Sequence, residues 1–216
     1  MIIGTNIGII RYNADSGKSD IYQSDPEDNK GLTHGYITSL FQSEDNVIWV
    51  GTRNGLNILE TLHPDFIHIR NIPGKPGLSS KNVNSFIQEN DSLFWIGTTD
   101  GLNLYNKNTN QFKVFRKSKG KNNLHSNYIL CLYKDSRGNK WVGTRSDGLY
   151  HIDPNLQFKK KVPYNENATG RSIHFIEESK SGDLWLGTGG AGLWMYNPIK
   201  NTIKKSLVQP YLQIEA

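Results

Sequence analysis

Trp95-Ile96-Gly97-Thr98-Thr99-Asp100-Gly101-Leu102 decides the fold, because near-copies of it recur along the chain. Trp49-Val50-Gly51-Thr52-Arg53-Asn54-Gly55-Leu56 precedes it. Trp141-Val142-Gly143-Thr144, completed by Gly148-Leu149, and Trp185-Leu186-Gly187-Thr188, completed by Gly192-Leu193, come after. A degenerate first copy is Ile2-Ile3-Gly4-Thr5-Asn6-Ile7-Gly8-Ile9. The Gly-Thr pairs begin at residues 4, 51, 97, 143 and 187, in steps of 47, 46, 46 and 44. Periods of roughly 40–50 residues rich in short strands are the signature of a β-propeller.

Each period holds four strand-like stretches. In the clearest copy these are 82–88, 93–98, 102–105 and 112–115, all rich in β-branched or aromatic residues and bounded by turn formers. Four short strands make one blade. Ile37, Val83, Ile129 and Ile173 each stand 12 residues before Trp49, Trp95, Trp141 and Trp185, so first strand, turn and second strand keep one length throughout. The longest linkers fall between periods, where the chain must return from a blade's outermost strand to the innermost strand of the next.

The expected architecture is therefore all-β, with four-stranded antiparallel blades at 32–70, 78–116, 124–162 and 168–205. Residues 1–24 supply only the last three strands of an earlier blade, and 206–216 form an extension. Met1 falls inside a strand of this pattern, so the chain is expected to be part of a longer array. Alternatively, Tyr211-Leu212-Gln213-Ile214-Glu215 supplies the missing innermost strand and closes a five-bladed ring. An open array exposes strand edges and blade faces, which favours association, a homodimer included.

Composition fits a globular chain: 216 residues, 36% hydrophobic, 21% charged and 21 glycines. No apolar run approaches the roughly 18 residues of a membrane-spanning helix. Met1-Ile2-Ile3-Gly4 lacks the basic and apolar regions of an export signal, so neither a leader nor direct membrane contact is expected from this stretch. The formal charge of +5 lies largely in lysines of the fourth strands, such as Lys113, Lys159, Lys160, Lys204 and Lys205. Lysines there suit an exposed edge strand and lack the interleaved aromatics of a nucleic-acid stripe. Cys131, the single cysteine, sits in an apolar strand pattern and reads as a buried, inert thiol.

No catalytic, metal or cofactor motif stands out. Gly187-Thr188-Gly189-Gly190-Ala191-Gly192 matches G-x-G-x-x-G, but dinucleotide binding needs a helix after it, and the repeat places a strand there. His34, His125 and His174 lack metal-ligand spacing, although the fold could gather them near the axis. The repeated letters have structural readings. Tryptophan fills the wedge between twisted blades, glycine permits close approach, and threonine bonds a turn amide.

Function on such a scaffold belongs to the variable tips. The turns between second and third strands emerge on the same end as the linkers between blades. That end gathers Arg53, Asn54, Asp100, Arg145 and Asp147 from the tips with Tyr36, Tyr128 and Arg171 from the linkers, and His174 just beyond. Rings for stacking and planar donors suit a polar ligand such as a sugar. His174 with Glu177 or Glu178 is the one nearby pairing with lyase-like character, and the alternation of strand side chains puts His174 and Glu178 on one face.

The elements led by Leu32-Thr33, Leu78-Ser79-Ser80-Lys81-Asn82-Val83 and Leu124-His125-Ser126-Asn127-Tyr128-Ile129, each running into its tryptophan strand, resemble the two-component regulator propeller repeat. Ala168-Thr169-Gly170-Arg171 departs from the Leu-Ser lead, and the first copy lacks its tryptophan. The resemblance implies the periplasmic sensor region of a Bacteroides-type hybrid two-component system. It further implies detection of glycan-derived oligosaccharides and signalling to a histidine kinase outside this chain. The remaining blades and the kinase region would be its partners. A five-bladed sugar-binding lectin and a propeller lyase of the streptogramin-lyase type are the alternatives.

Overall fold

The computed structural model describes residues 1–25, 31–43, 47–60, 66–72, 74–120, 122–161 and 172–206. They form five antiparallel sheets and no helix, each sheet built from strands in chain order. The first sheet has three strands, β1 (Ile2–Gly4), β2 (Gly8–Tyr12) and β3 (Ser19–Gln23). The second holds β4 (Ile37–Gln42), β5 (Ile48–Thr52), β6 (Gly55–Leu59) and β7 (Phe66–Ile69). The third holds β8 (Val83–Gln88), β9 (Leu93–Thr98), β10 (Gly101–Asn106) and β11 (Gln111–Phe115). The fourth holds β12 (Ile129–Lys134), β13 (Lys140–Thr144), β14 (Leu149–Ile152) and β15 (Phe158–Lys160). The last holds β16 (Ile173–Glu178), β17 (Leu184–Thr188), β18 (Gly192–Asn197) and β19 (Thr202–Lys205).

These sheets are propeller blades. They pack in sequence through their first strands: β1 on β4, β4 and β5 on β8, β8 and β9 on β12, β12 and β13 on β16. The core therefore lies between blades. Trp49 stacks on Phe94 of the following blade at 3.9 Å between ring centroids. Trp95 packs with Leu124, Ile129 and Tyr150, and Trp141 with Ile173, Leu186 and Tyr196. The wedge-filling role read from the sequence holds for all three.

The glycine after each tryptophan is explained by the same interface. A Cβ on Gly97 or Gly143 would come within 2.7 Å of Ile129 or Ile173, the first residue of the next blade's inner strand; on Gly51 it would strike Ser39 of its own blade and lie 3.1 Å from Val83 of the next. The second glycine of the motif has a different task, adopting positive φ at the hairpin: 112° at Gly55 and 137° at Gly101.

Each complete blade's inner strand carries a bulge at its second residue, Thr38, Asn84, Leu130 or His174. Side chains at the bulge or just after it reach across the blade junction. Thr38 Oγ1 donates to Val83 O, Asn84 Nδ2 donates to Ile129 O at 2.7 Å, and Cys131 Sγ donates to Ile173 O at 3.3 Å. Burial pushes the Cys131 thiol up to about 12, so the inert reading of this cysteine has a physical basis. The bulge also corrects one expectation. Simple alternation does not run from His174 to Glu178, because the register shifts between Ile173 and Phe175.

The last blade presents a face that no described residue covers as the others are covered. Trp49, Trp95 and Trp141 are buried, whereas Trp185 is partly exposed. Phe175, at the position of Ser39, Ser85 and Cys131, is 52% exposed. Residues 211–215, the candidate closing strand, lie outside the described residues. The fourth strands form the outer edges, with exposed lysines such as Lys113, Lys204 and Lys205. The G-x-G-x-x-G match lies in the hairpin between β17 and β18.

Candidate functional site

The tip between second and third strands is built by the threonine of each Gly-Thr pair. Thr52, Thr98 and Thr144 donate to Gly55 O, Gly101 O and Gly148 O at 2.9–3.0 Å. The same hydroxyls accept from the amides of Asn54, Asp100 and Asp147 at 3.0–3.2 Å. Each tip is thus fixed before its variable side chains are chosen.

A backbone bond then joins tip to linker. Thr99 N donates to Asn82 O at 3.2 Å, Arg145 N to Tyr128 O at 3.0 Å and Gly189 N to Ser172 O at 3.0 Å. The residue after Gly-Thr is therefore held beside the residue before the inner strand. Where these are arginine and tyrosine, the side chains stack. Arg53 Cζ lies 3.8 Å from the Tyr36 ring centroid, and Arg145 Cζ lies 4.9 Å from that of Tyr128. Both arginines are exposed, and Tyr36 is 38% exposed.

The other tip residues are engaged within the fold. Asp100 accepts from Arg116 Nε at 3.3 Å and from Asn127 Nδ2 at 2.9 Å. Asp147 accepts from Lys160 Nζ at 2.7 Å and from the Tyr150 hydroxyl, with His125 Nδ1 at 3.7 Å. Burial and this carboxylate both push the Tyr150 phenol well above its usual range. Asn54 Nδ2 donates to Thr33 O at 3.2 Å. His174, at the bulge of β16, is exposed, and its imidazole lies at the tip of its own blade, where a Cβ on Gly189 would come within 2.8 Å of His174 Nε2. Arg171 lies outside the described residues.

His34 Nδ1 accepts from Tyr36 N at 2.9 Å, and His125 Nε2 meets Gly120 O at 2.9 Å. Among the described residues no group of three or more His, Cys, Asp or Glu side chains is arranged to hold a metal ion. Glu178 accepts from Ser136 N at 2.7 Å and Ser136 Oγ at 2.9 Å, clasping the last two blades together instead of facing His174.

Two networks escaped the sequence reading. Asn57 and Asn103, fully buried in the third strands, bind the linker leads: Asn57 Oδ1 accepts from Thr33 N at 2.8 Å, and Asn103 Oδ1 from Ser79 N at 2.9 Å. The Gly-Leu-Asn triplets at 55–57 and 101–103 carried that signal. At the opposite end, Trp95 Nε1 donates to Glu89 at 2.8 Å and Trp141 Nε1 to Asp135 at 3.0 Å, both six residues upstream. Burial opposes ionisation of Glu89, but Lys140, Trp95 and the nearby Lys134 charge hold it below the usual carboxylate range. Asp135 is likewise held low against burial by bonds from Trp141, Asn139 and Arg137.

Residues 31–54 and 123–146 match the two-component regulator propeller family, each stretch running from a linker lead to an arginine-bearing tip. The chain is similar to that family over these two stretches. It is similar to a structure described as the extracellular domain of a hybrid two-component system from B. thetaiotaomicron, with TM-score 0.75 and 26% identity over 94% of this chain and 26% of that one. A second such domain from the same organism gives TM-score 0.74 at 21% identity, covering 94% of this chain and 25% of that one. This chain thus spans about a quarter of their length. Virginiamycin B lyase from Staphylococcus aureus shares the fold, with TM-score 0.67 at 13% identity over 93% of this chain and 63% of that one. No curated protein matches the chain.

Proposed function

We propose that this chain is a segment of the ligand-sensing propeller of a hybrid two-component system, acting outside the cytoplasmic membrane and detecting glycan-derived oligosaccharides at its tip end. The observation that carries the proposal is the pair of tyrosine-backed arginines, Arg53 on Tyr36 and Arg145 on Tyr128, placed at one repeat position in two blades. Aromatic faces and fixed planar donors at converging tips are the ingredients of polar-ligand recognition.

In this reading the segment binds and transmits, while phosphoryl transfer belongs to a histidine kinase elsewhere in the full protein. The uncovered face around Trp185 and Phe175 is where a further blade continues the array. The lyase pairing of His174 with Glu178 is disfavoured because Glu178 is committed to Ser136. A lectin reading shares the tip site and differs only in the consequence of binding.

The test is calorimetric titration of the full chain with a panel of plant and host oligosaccharides, repeated on the double variant Arg53→Ala/Arg145→Ala. A member that binds the parent and loses affinity in the variant is expected. Binding that the double substitution leaves unchanged refutes the tip end as the site.

A further inference from the structure

We infer that the ligand of the tip end is anionic: an oligosaccharide bearing carboxylate or sulfate groups, read by Arg53 and Arg145. This rests on the sensing proposal above and narrows it.

Charge separates the groups at this end. Two carboxylates share it with the two arginines, and each is charge-paired within the fold. Asp100 is held by Arg116 and Asn127, and Asp147 by Lys160, the Tyr150 hydroxyl and His125. The arginines differ. Among the described residues neither Arg53 nor Arg145 has a carboxylate within salt-bridge distance; their partner is the tyrosine ring beneath. The carboxylates of this end are therefore compensated by other cations, and these two guanidiniums have no compensating carboxylate among the described residues.

Geometry makes those cations useful. A guanidinium lying over a ring uses its face for stacking and leaves its N–H edge for a planar anion. The ring also fixes the side chain, so less rotamer freedom is lost when an anion binds. In the fourth sheet the tip amide binds the linker carbonyl, Arg145 N to Tyr128 O, and sets arginine beside tyrosine; Arg53 and Tyr36 occupy the same repeat positions in the second. The intervening blade carries Asn82 and Thr99 at these positions, so it has no such pair.

The surroundings reinforce the sign. The linker between the third and fourth sheets forms an open cavity of about 500 Å³ lined by Lys117, Ser118, Lys119, Gly120 and His125. A neutral glycan carries no charge to compensate the two guanidiniums. A uronate or sulfated sugar presents acceptors and charge that match this surface throughout.

The test uses a matched pair of probes on the full chain: a galacturonate tetrasaccharide and its fully methyl-esterified counterpart, with a sulfated disaccharide and a single-stranded oligonucleotide alongside. The acidic or sulfated sugar should bind, and more weakly as salt rises. Arg53→Gln and Arg145→Gln, which keep size and remove charge, should each lower its affinity about 10- to 100-fold. Circular dichroism reports whether each variant remains folded. A folded Lys117→Gln/Lys119→Gln variant should lose less than either arginine variant, or general basicity rather than the stacked pairs explains binding and the inference falls. Equal binding of the ester overturns the inference yet leaves the sensing proposal standing. No binding of either anionic sugar, or equal capture of the oligonucleotide, overturns it as well.

Discussion

Gly143→Ala tests the principle on which the whole array is built. A methyl at Gly143 would lie 2.7 Å from Ile173 O and 3.0 Å from Ile173 Cβ in the next blade, and would also meet Cys131 Sγ. The carbonyl is backbone in the neighbouring sheet and accepts the Cys131 bond, so it cannot swing aside as a side chain can. Overpacking of this kind costs about 1–3 kcal/mol. Replacing glycine returns about 0.4–1 kcal/mol by restricting the unfolded chain. The net expectation is a loss of about 1–2 kcal/mol, which for a chain of this size lowers Tm by roughly 2–8 °C. Gly187→Ala is the internal control. Its methyl would meet only Phe175, at 3.1 Å from Cβ, on the uncovered face. That cost is small enough for the unfolded-state gain to offset it. Urea denaturation followed by tryptophan fluorescence, with slope and midpoint both fitted, measures the two variants side by side. If Gly187→Ala is as damaging as Gly143→Ala, or if both are neutral, the glycine does not serve the blade junction.

Asp135→Ala should cost about 1–3 kcal/mol by leaving the buried Trp141 indole N–H without its acceptor, measured in the same urea assay. A stability matching the parent would show that the indole finds another partner. Because Glu89 and Asp135 titrate below their ordinary values when folded, the unfolded chain binds more protons in acid. Their contribution is therefore complete above about pH 4–5 and is lost as pH falls through the folded values. A Glu89→Gln/Asp135→Asn variant should show a flatter acid limb between about pH 5 and 2, and an unchanged limb would refute the assignment. Phe175→Ser places there the residue found at positions 39 and 85. It should reduce any self-association seen by sedimentation velocity without changing the circular dichroism spectrum.

Legibility in the sequence followed repetition. Trp49, Trp95 and Trp141 each recur at one offset because each fills the same wedge against the next blade, so the fold could be read from spacing alone. The bulge in the inner strands could not. It leaves no residue-type signature, since Thr38, Asn84, Leu130 and His174 share no chemistry, and it is required by the junction rather than by the strand itself. The placement of His174 beside Glu178 failed for that reason. The acid six residues before tryptophan was also hard to see, because Glu89 and Asp135 alternate with Ser43 and Ser179 at that position.

The tip residues show how one set of letters divides once partners are known. Read as sequence, Arg53, Asn54, Asp100, Arg145 and Asp147 are equivalent polar positions at one end of the array. Asn54 is needed to hold the linker at Thr33 O, and the two aspartates neutralise Arg116 and Lys160. Removing any of these would disturb a tip before it disturbed a ligand. Arg53 and Arg145 touch rings whose faces they occupy while their charge remains unspent. A fold gains little from a solvent-exposed guanidinium held this way, about 0.5–1 kcal/mol by its cation–π contact. That small structural return, at one repeat position in two blades, is why these arginines rather than the aspartates are the residues on which a binding experiment should turn.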